Sequence, residues 1–407
     1  MDGSQKKTIF ANQIKLIMTL FGTYFETIPL ILMALFAITF VFLALFYGLN
    51  HFRVSRYNVS KTKLSPNNNA QPSVSVVLTS KNGEKLLTDN LTYLLEQNYP
   101  RLEVVVVDYD SFDNTQYVLQ VFKSNYPDKL KIVRLEKDVN NYKGKKFPLS
   151  IGIQSAKNDI ILLTENDCVP KSFDWVEKMV APFANPNTQI VLGYHGLESG
   201  KGMLNAFEQY ENLSHSAVMF GAALRHRPYC GVGRNMAYRR QFFFDNKGFI
   251  KQYNIPYGDD DLFVNKNGNS TNTGVCLEKE SYVVSQPPKT VGQWFDQRRR
   301  QHSTIKKYKA SDKAMLLLRT LAVTLFYLCG ILLYVLKPLP ILGLVLLGVL
   351  VAKIAWQIVC HFQLGRRLGI KGFVSVLSPL FEIYFLFANT FLYLFTLRHK
   401  NSHGSNS

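Results

Sequence analysis

Two apolar patterns alternate along this 407-residue chain, with long unbroken runs toward its ends and short runs between them. Ile28–Leu49 is almost wholly apolar and long enough for a membrane helix, which needs about 20 residues. Leu316–Leu336, Ile341–Val359 and Phe373–Leu397 repeat the pattern, so one N-terminal and three C-terminal membrane helices are predicted. Lys353 and Gln357 interrupt the third of these four spans, for which a re-entrant or interfacial course is the alternative. Arg319 stands near the start of the second span, where its long stem can snorkel to the interface. The first run lacks a small-residue cleavage site and follows a polar arm, which argues against a secretory signal. That arm, residues 1–27, carries Ile14, Ile17, Met18 and Phe21 at helical spacing and suits the membrane surface.

Residues 50–72 form a linker, rich in Asn, Pro and Ser from residue 60 on. The body, residues 73–311, shows short buried-strand patterns at Val74–Leu78, Glu103–Val107, Leu130–Val133 and Asp159–Leu163. Helical stretches at Leu86–Glu96, Asn114–Ser124 and Pro148–Ala156 separate them. Strands alternating with helices predict an α/β fold with a mostly parallel sheet. The second half is less regular, and Met203–Leu224 has the spacing of a long amphipathic helix for packing or for an interface. The C-terminal spans occupy residues 316–397, and a polar tail, 398–407, follows.

The formal net charge is +18, and much of it sits beside the spans. Arg53, Arg56, Lys61 and Lys63 follow the first, and Arg298, Arg299, Arg300, Lys306, Lys307 and Lys309 precede the second. Arg366, Arg367 and Lys371 lie between the third and fourth. If every span crosses, all three clusters share one side, so the positive-inside bias predicts a multi-pass protein of the cell membrane with a cytoplasmic body. Anionic lipid head groups are natural partners for these clusters, and no nucleic acid is needed to explain them. The default setting is a bacterial plasma membrane. The five cysteines show no paired spacing, which fits a reducing compartment and gives neither a zinc site nor a disulfide framework.

Candidate chemistry gathers where strands end, the edge at which α/β sheets bind ligands. The run Ile161–Leu163 ends in Thr164-Glu165-Asn166-Asp167, two hard oxygen ligands suited to a divalent cation; a solvated turn is the plainer alternative. The second strand ends in Asp108-Tyr109-Asp110-Ser111-Phe112-Asp113-Asn114. Asp108 reads there as an acceptor for a ribose or base, whereas Ser111 and Asp113 read as helix caps. Lys143-Gly144-Lys145-Lys146 precedes a helix and suits contact with phosphate, or is simply a solvated basic loop.

Taken in order, these pieces resemble the family 2 glycosyltransferases over residues 73 to about 310. The nucleotide-sugar half of that family is matched by Thr79-Ser80-Lys81-Asn82-Gly83, Val107-Asp108-Tyr109-Asp110-Ser111-Phe112-Asp113, Gly144-Lys145 and Glu165-Asn166-Asp167. Gly231-Val232-Gly233-Arg234-Asn235 resembles its acceptor-side Gly-x-Gly-x-Asn segment, and Gly258-Asp259-Asp260-Asp261-Leu262 the motif holding its catalytic base. Gln297-Arg298-Arg299-Arg300 resembles the Gln-x-x-Arg-Trp motif of membrane-integrated members. Glu165 replaces the first acid of Asp-x-Asp, Tyr109 and Gly83 replace acids, Gly258 replaces a Glu, and Gln301-His302 stand where a tryptophan is expected.

The resemblance implies a GT-A type domain and an inverting transfer from a nucleotide-diphosphate sugar, UDP-sugars being commonest in the family. Asp259 is implied as the general base, with Mg²⁺ or Mn²⁺ on Asp167 and Glu165 at the diphosphate. Thr79, Asn82, Asp108, Lys145, Glu165, Gln297 and Arg300 are implied on the donor side, and Gly233, Asn235, Asp260 and Asp261 on the acceptor side. Arg298 and Arg299 read alternatively as positive-inside anchors, and Asp259–Asp261 as a solvated acidic turn. The expected reaction is transfer to a lipid or lipid-linked acceptor at the cytoplasmic membrane face. A processive polysaccharide synthase and an inactive glycosyltransferase-like membrane scaffold are the alternatives.

Overall fold

The computed structural model describes residues 27–57, 71–136 and 144–388. The arm to residue 26, linker residues 58–70 with Lys61 and Lys63, Lys143, and residues 389–407 lie outside them. The chain divides into two compact units, residues 1–48 with 314–359 and residues 49–313 with 360–407.

Among the described residues, three helices are long and apolar enough to cross a membrane: Thr27–Ser55, Ala310–Leu336 and Pro340–Leu368. In the first unit Phe36 and Phe326 stack with centroids 4.8 Å apart. Helix Pro340–Leu368 runs unbroken through Lys353 and Gln357, both buried. Lys353 Nζ donates to Gln357 Oε1 at 2.7 Å and to Tyr327 OH at 3.0 Å, so the charge has polar partners among apolar neighbours. The expected fourth span differs from a single helix over its described part. Gly372–Val376 is a short helix, Leu377 is a turn, and Ser378–Ala388 is a second short apolar helix. Pro379 has no N–H to continue the first helix and falls in the first turn of the second, where proline is tolerated.

The second unit is built on a seven-stranded sheet. Its strands are β1 (Val74–Ser80), β2 (Leu102–Tyr109), β3 (Leu130–Leu135), β4 (Ile160–Leu163), β6 (Ile190–Gly193), β8 (Met236–Arg239) and β9 (Thr273–Cys276), in the order β3-β2-β1-β4-β8-β6-β9. A smaller sheet sets β10 (Val283–Ser285) between β5 (Cys168–Pro170) and β7 (His195–Leu197). β1, β2 and β4 are parallel neighbours covered on both faces, hence their near-continuous apolar sequences. The chain leaves β1 toward β2 and β3, then returns to place β4 on β1's other side. That reversal opens a crevice at the C-terminal ends of β1 and β4. β8 runs antiparallel to β4 with Met236 opposite Leu163, so the loop before β8 meets the loop after β4 at this edge. Helix Met203–Ala223 is buried on almost every face, Glu208 and Glu211 included, and is not the amphipathic helix its spacing predicts.

Candidate active site

The first wall of the crevice is a pair of interlocked loops. Asn82, in the left-handed region at φ 50°, donates its N–H to Ser111 Oγ (2.9 Å) and accepts from the Phe112 N–H through Oδ1 (2.8 Å). Asp113 accepts from the N–H groups of Glu84 and Thr115, both at 3.1 Å, and so serves the first turns of two helices. The cap reading of Asp113 thus describes its contacts, while Asn82, expected on the donor side, has its side-chain oxygen engaged in the loop lock. Thr79 is half-buried near the end of β1, opposite Val107. Asp108, next to last in β2, is a buried carboxylate whose Oδ1 has no hydrogen-bond partner. Buried acceptors are nearly always paired, so this oxygen is open to a further donor.

Beyond β4 the two acids meet two cations. Arg234, from the loop before β8, reaches Glu165 Oε2 through one terminal nitrogen and Asp167 Oδ2 through the other, both at 3.0 Å. Lys145, at the start of helix Lys146–Ser155, takes the other oxygen of Glu165 and lies 3.2 Å from Asp259 Oδ2. Asp167, Arg234, Glu165, Lys145 and Asp259 therefore form one chain of alternating charge. Burial works against the charged form of Glu165, but Arg234 and then Lys145 overcome it and hold its carboxyl well below the usual range. Arg234 NH1 also donates to Ser285 Oγ, which lies 2.8 Å from His195 Nε2. Burial first, and Arg234 next, push the His195 imidazole down to about 3, so this ring is neutral.

Two loops, about 110 residues apart in sequence, fix the position of Asp259. Gly144 has φ +90°, and a Cβ there would fall 2.2 Å from the Pro256 carbonyl oxygen, so only glycine lets the two loops touch. Lys146 is buried and donates Nζ to the carbonyls of Gln252 (3.0 Å), Ile255 (2.8 Å) and Tyr257 (2.7 Å). The adjacent Asp259 is itself buried, which raises its pKa; Lys145 offsets part of this and Asp260 and Glu165 add to it.

Three expected acceptor-side groups are committed to the framework instead. Asn235 is fully buried, donating to the carbonyls of Tyr194 and Ser281 (2.8 Å each) and accepting from Trp175 Nε1 (3.0 Å). Asp260 accepts from the N–H groups of Gly233 and Asp261, both at 2.8 Å. Asp261 accepts from the Leu262 N–H (2.6 Å), Tyr308 OH (2.7 Å) and the Thr304 hydroxyl. Gly233 thus contributes backbone to this frame.

Helix Val291–Ile305 carries Gln297 and Arg300 exposed, apart from the charge chain. The Arg300 guanidinium lies 5.5 Å from the Tyr257 ring centroid. Arg298 is not a solvent-facing anchor: it pairs with buried Glu211, which also accepts from Trp294 Nε1 at 2.7 Å. Sequence reasoning missed the bridging role of Arg234, whose one signal was a basic residue in the glycine loop before a strand.

The family model for Glycosyl transferase family 2 matches residues 75–245. Poly-beta-1,6-N-acetyl-D-glucosamine synthase from Staphylococcus epidermidis is 28% identical over 142 residues, 35% of this chain and 33% of the relative. The poly(ribitol-phosphate) beta-N-acetylglucosaminyltransferase TarS from Staphylococcus aureus is 30% identical over 95 residues, 23% of this chain and 16% of its own. The match thus spans a third or less of each of these curated relatives. Among solved structures, the mannosyltransferase PcManGT from Pyrobaculum calidifontis, in complex with GDP-Man and Mn²⁺, aligns with TM-score 0.56 at 20% identity, covering 86% of this chain and 98% of that one. That likeness extends the agreement in fold well past the matched residues. The chain therefore carries a Glycosyl transferase family 2 domain over residues 75–245, set in a GT-A fold.

Proposed function

We propose that this chain is an inverting glycosyltransferase that moves a sugar from a nucleotide-diphosphate donor to a lipid or lipid-linked acceptor at the cytoplasmic membrane face. The observation that carries the reading is the convergence of Asp108, the Glu165–Asp167 pair and Asp259 at one sheet edge, with Lys145 joining the last two. The unpartnered oxygen of Asp108 supports its reading as an acceptor for the nucleoside. Glu165 and Asp167 are hard oxygen donors and already hold a cationic group between them, so they fit Mg²⁺ or Mn²⁺. Such an ion, when bound, would neutralise the charge developing on the departing diphosphate.

Asp259 is the candidate base. Its raised proton affinity suits removal of the acceptor hydroxyl's proton as that oxygen attacks the anomeric carbon and the sugar–phosphate bond breaks on the opposite face. Lys145 holds Asp259 in place and lends positive charge beside the diphosphate site. The exposed Gln297 and Arg300 fit a group that meets the donor from outside the crevice. The apolar helices support a membrane setting. The product named for the S. epidermidis relative favours a second reading, processive synthesis, and the names of both relatives make N-acetylglucosamine the first sugar to test.

The test is release of free nucleoside diphosphate by detergent-purified protein offered UDP-, GDP- and dTDP-sugars with Mn²⁺ or Mg²⁺, with and without extracted membrane lipid. Metal-dependent turnover that lipid stimulates and that both Asp167→Ala and Asp259→Asn abolish is expected. Single-sugar lipid products support the first reading and long polymer the second. No turnover of any donor, with the protein's cellular role intact in Asp259→Asn, would sink both in favour of a scaffold.

A further inference from the structure

We propose that Arg234 is a displaceable internal cation: it holds the Glu165–Asp167 pair closed, and a metal ion enters only by driving the guanidinium off it. The inference rests on the reading of these two acids as metal ligands and adds what controls their access. Arg234 reaches Glu165 Oε2 and Asp167 Oδ2 with its two terminal nitrogens, each at 3.0 Å. Lys145 already engages the other oxygen of Glu165. A divalent ion binds carboxylate oxygens at roughly 2.0–2.6 Å, so ion and guanidinium compete for the same two atoms and repel each other there.

The arrangement is built rather than accidental. Arg234 lies in the loop that β8 brings alongside β4, and Ser285 of β10 takes a further hydrogen bond from the same NH1. The neutral His195 ring lies against that serine and adds no competing charge. Once driven off, the guanidinium needs an anion, and its planar fork matches a phosphate with paired hydrogen bonds. The diphosphate of the donor supplies that anion. Metal alone would leave Arg234 unpaired, and diphosphate alone would leave it divided between two anionic sites, so each ligand strengthens the other's binding. The chain thereby keeps its metal site shut until a donor arrives.

The experiment titrates Mn²⁺ alone into the detergent-purified full chain, reading free Mn²⁺ by electron paramagnetic resonance, so that no turnover is involved. Arg234→Gln is expected to bind Mn²⁺ at least tenfold more tightly than the native protein, and adding Asp167→Asn is expected to erase that gain. Arg234→Lys, whose single ammonium cannot bridge both acids, is expected to fall between them and serves as the reading should the glutamine variant not fold. Affinities within twofold of native for both Arg234 variants, or weaker, overturn the proposal while Asp167-dependent Mn²⁺ binding leaves the metal site standing. Mn²⁺ binding that ignores Asp167→Asn, or none in any variant, overturns the metal reading and this proposal together.

Discussion

At the residue scale, single side chains here do work that their positions in sequence do not announce. Lys146 gathers three main-chain carbonyls from the loop that leads to Asp259. Lys146→Met removes the donor those three carbonyls share, and denaturant unfolding should show a loss of about 1–3 kcal/mol. Asp259 must be ionised to act as a base, and its burial raises the pH at which it ionises. The acid limb of the kcat/KM profile should therefore lie above the ordinary Asp value of about 3.9, and Asp259→Asn should lose roughly 10²–10⁴-fold in kcat. A limb at or below the ordinary value would remove Asp259 from that role. The acids at strand ends were legible in sequence because an apolar run that stops at a carboxylate leaves few other interpretations. Asn235 was not, since its three partners come from 41 to 60 residues away and only folding assembles them.

Whole elements follow the same division. β1, β2, β3 and β4 lie within two residues of the runs that predict them. For β1, β2 and β4 this is because parallel strands covered on both faces leave a continuous apolar signature, whereas β3 is a half-exposed edge strand. Helix Met203–Ala223 defeats periodicity: Glu211 faces inward to Trp294 and Arg298, which arrive from more than 80 residues later, and Glu208 is buried on the same helix without a hydrogen-bond partner. Arg298→Ala leaves Glu211 buried without its counter-ion, and loss of about 3–5 kcal/mol is the usual consequence of such a break; calorimetry of the purified chain measures it. Glu208 has both carboxylate oxygens buried without a partner. Burial, and then the charge of Glu211, push it up to about 7 against the pull of Arg298. A carboxyl raised in the folded state favours folding below the usual carboxylate range, and that stabilisation is lost as pH rises toward 7. Thermal stability should accordingly fall between about pH 4.3 and 7, and Glu208→Gln should flatten that slope. An unchanged slope in the variant would assign it to another group.

Across the whole molecule, the basic residues and apolar helices make a statement about sidedness that the fold alone does not. Tyr117 is 72% exposed, and all five native cysteines are buried, so Tyr117→Cys offers one accessible thiol among the described residues. A membrane-impermeant maleimide should label it only in permeabilised cells; labelling of intact cells would place the body outside. The broken course after Lys371 was hidden in the sequence because apolar composition continues across the turn at Leu377. Gly144 and Lys146, seated on residues 252–257, carry a consequence for anyone rebuilding this crevice. The two loops are one interchangeable part. A chimera that imports a foreign 144–146 segment alone would meet a backbone shaped for a different partner, so the smallest transplant that can keep Asp259 in register takes both loops from one parent.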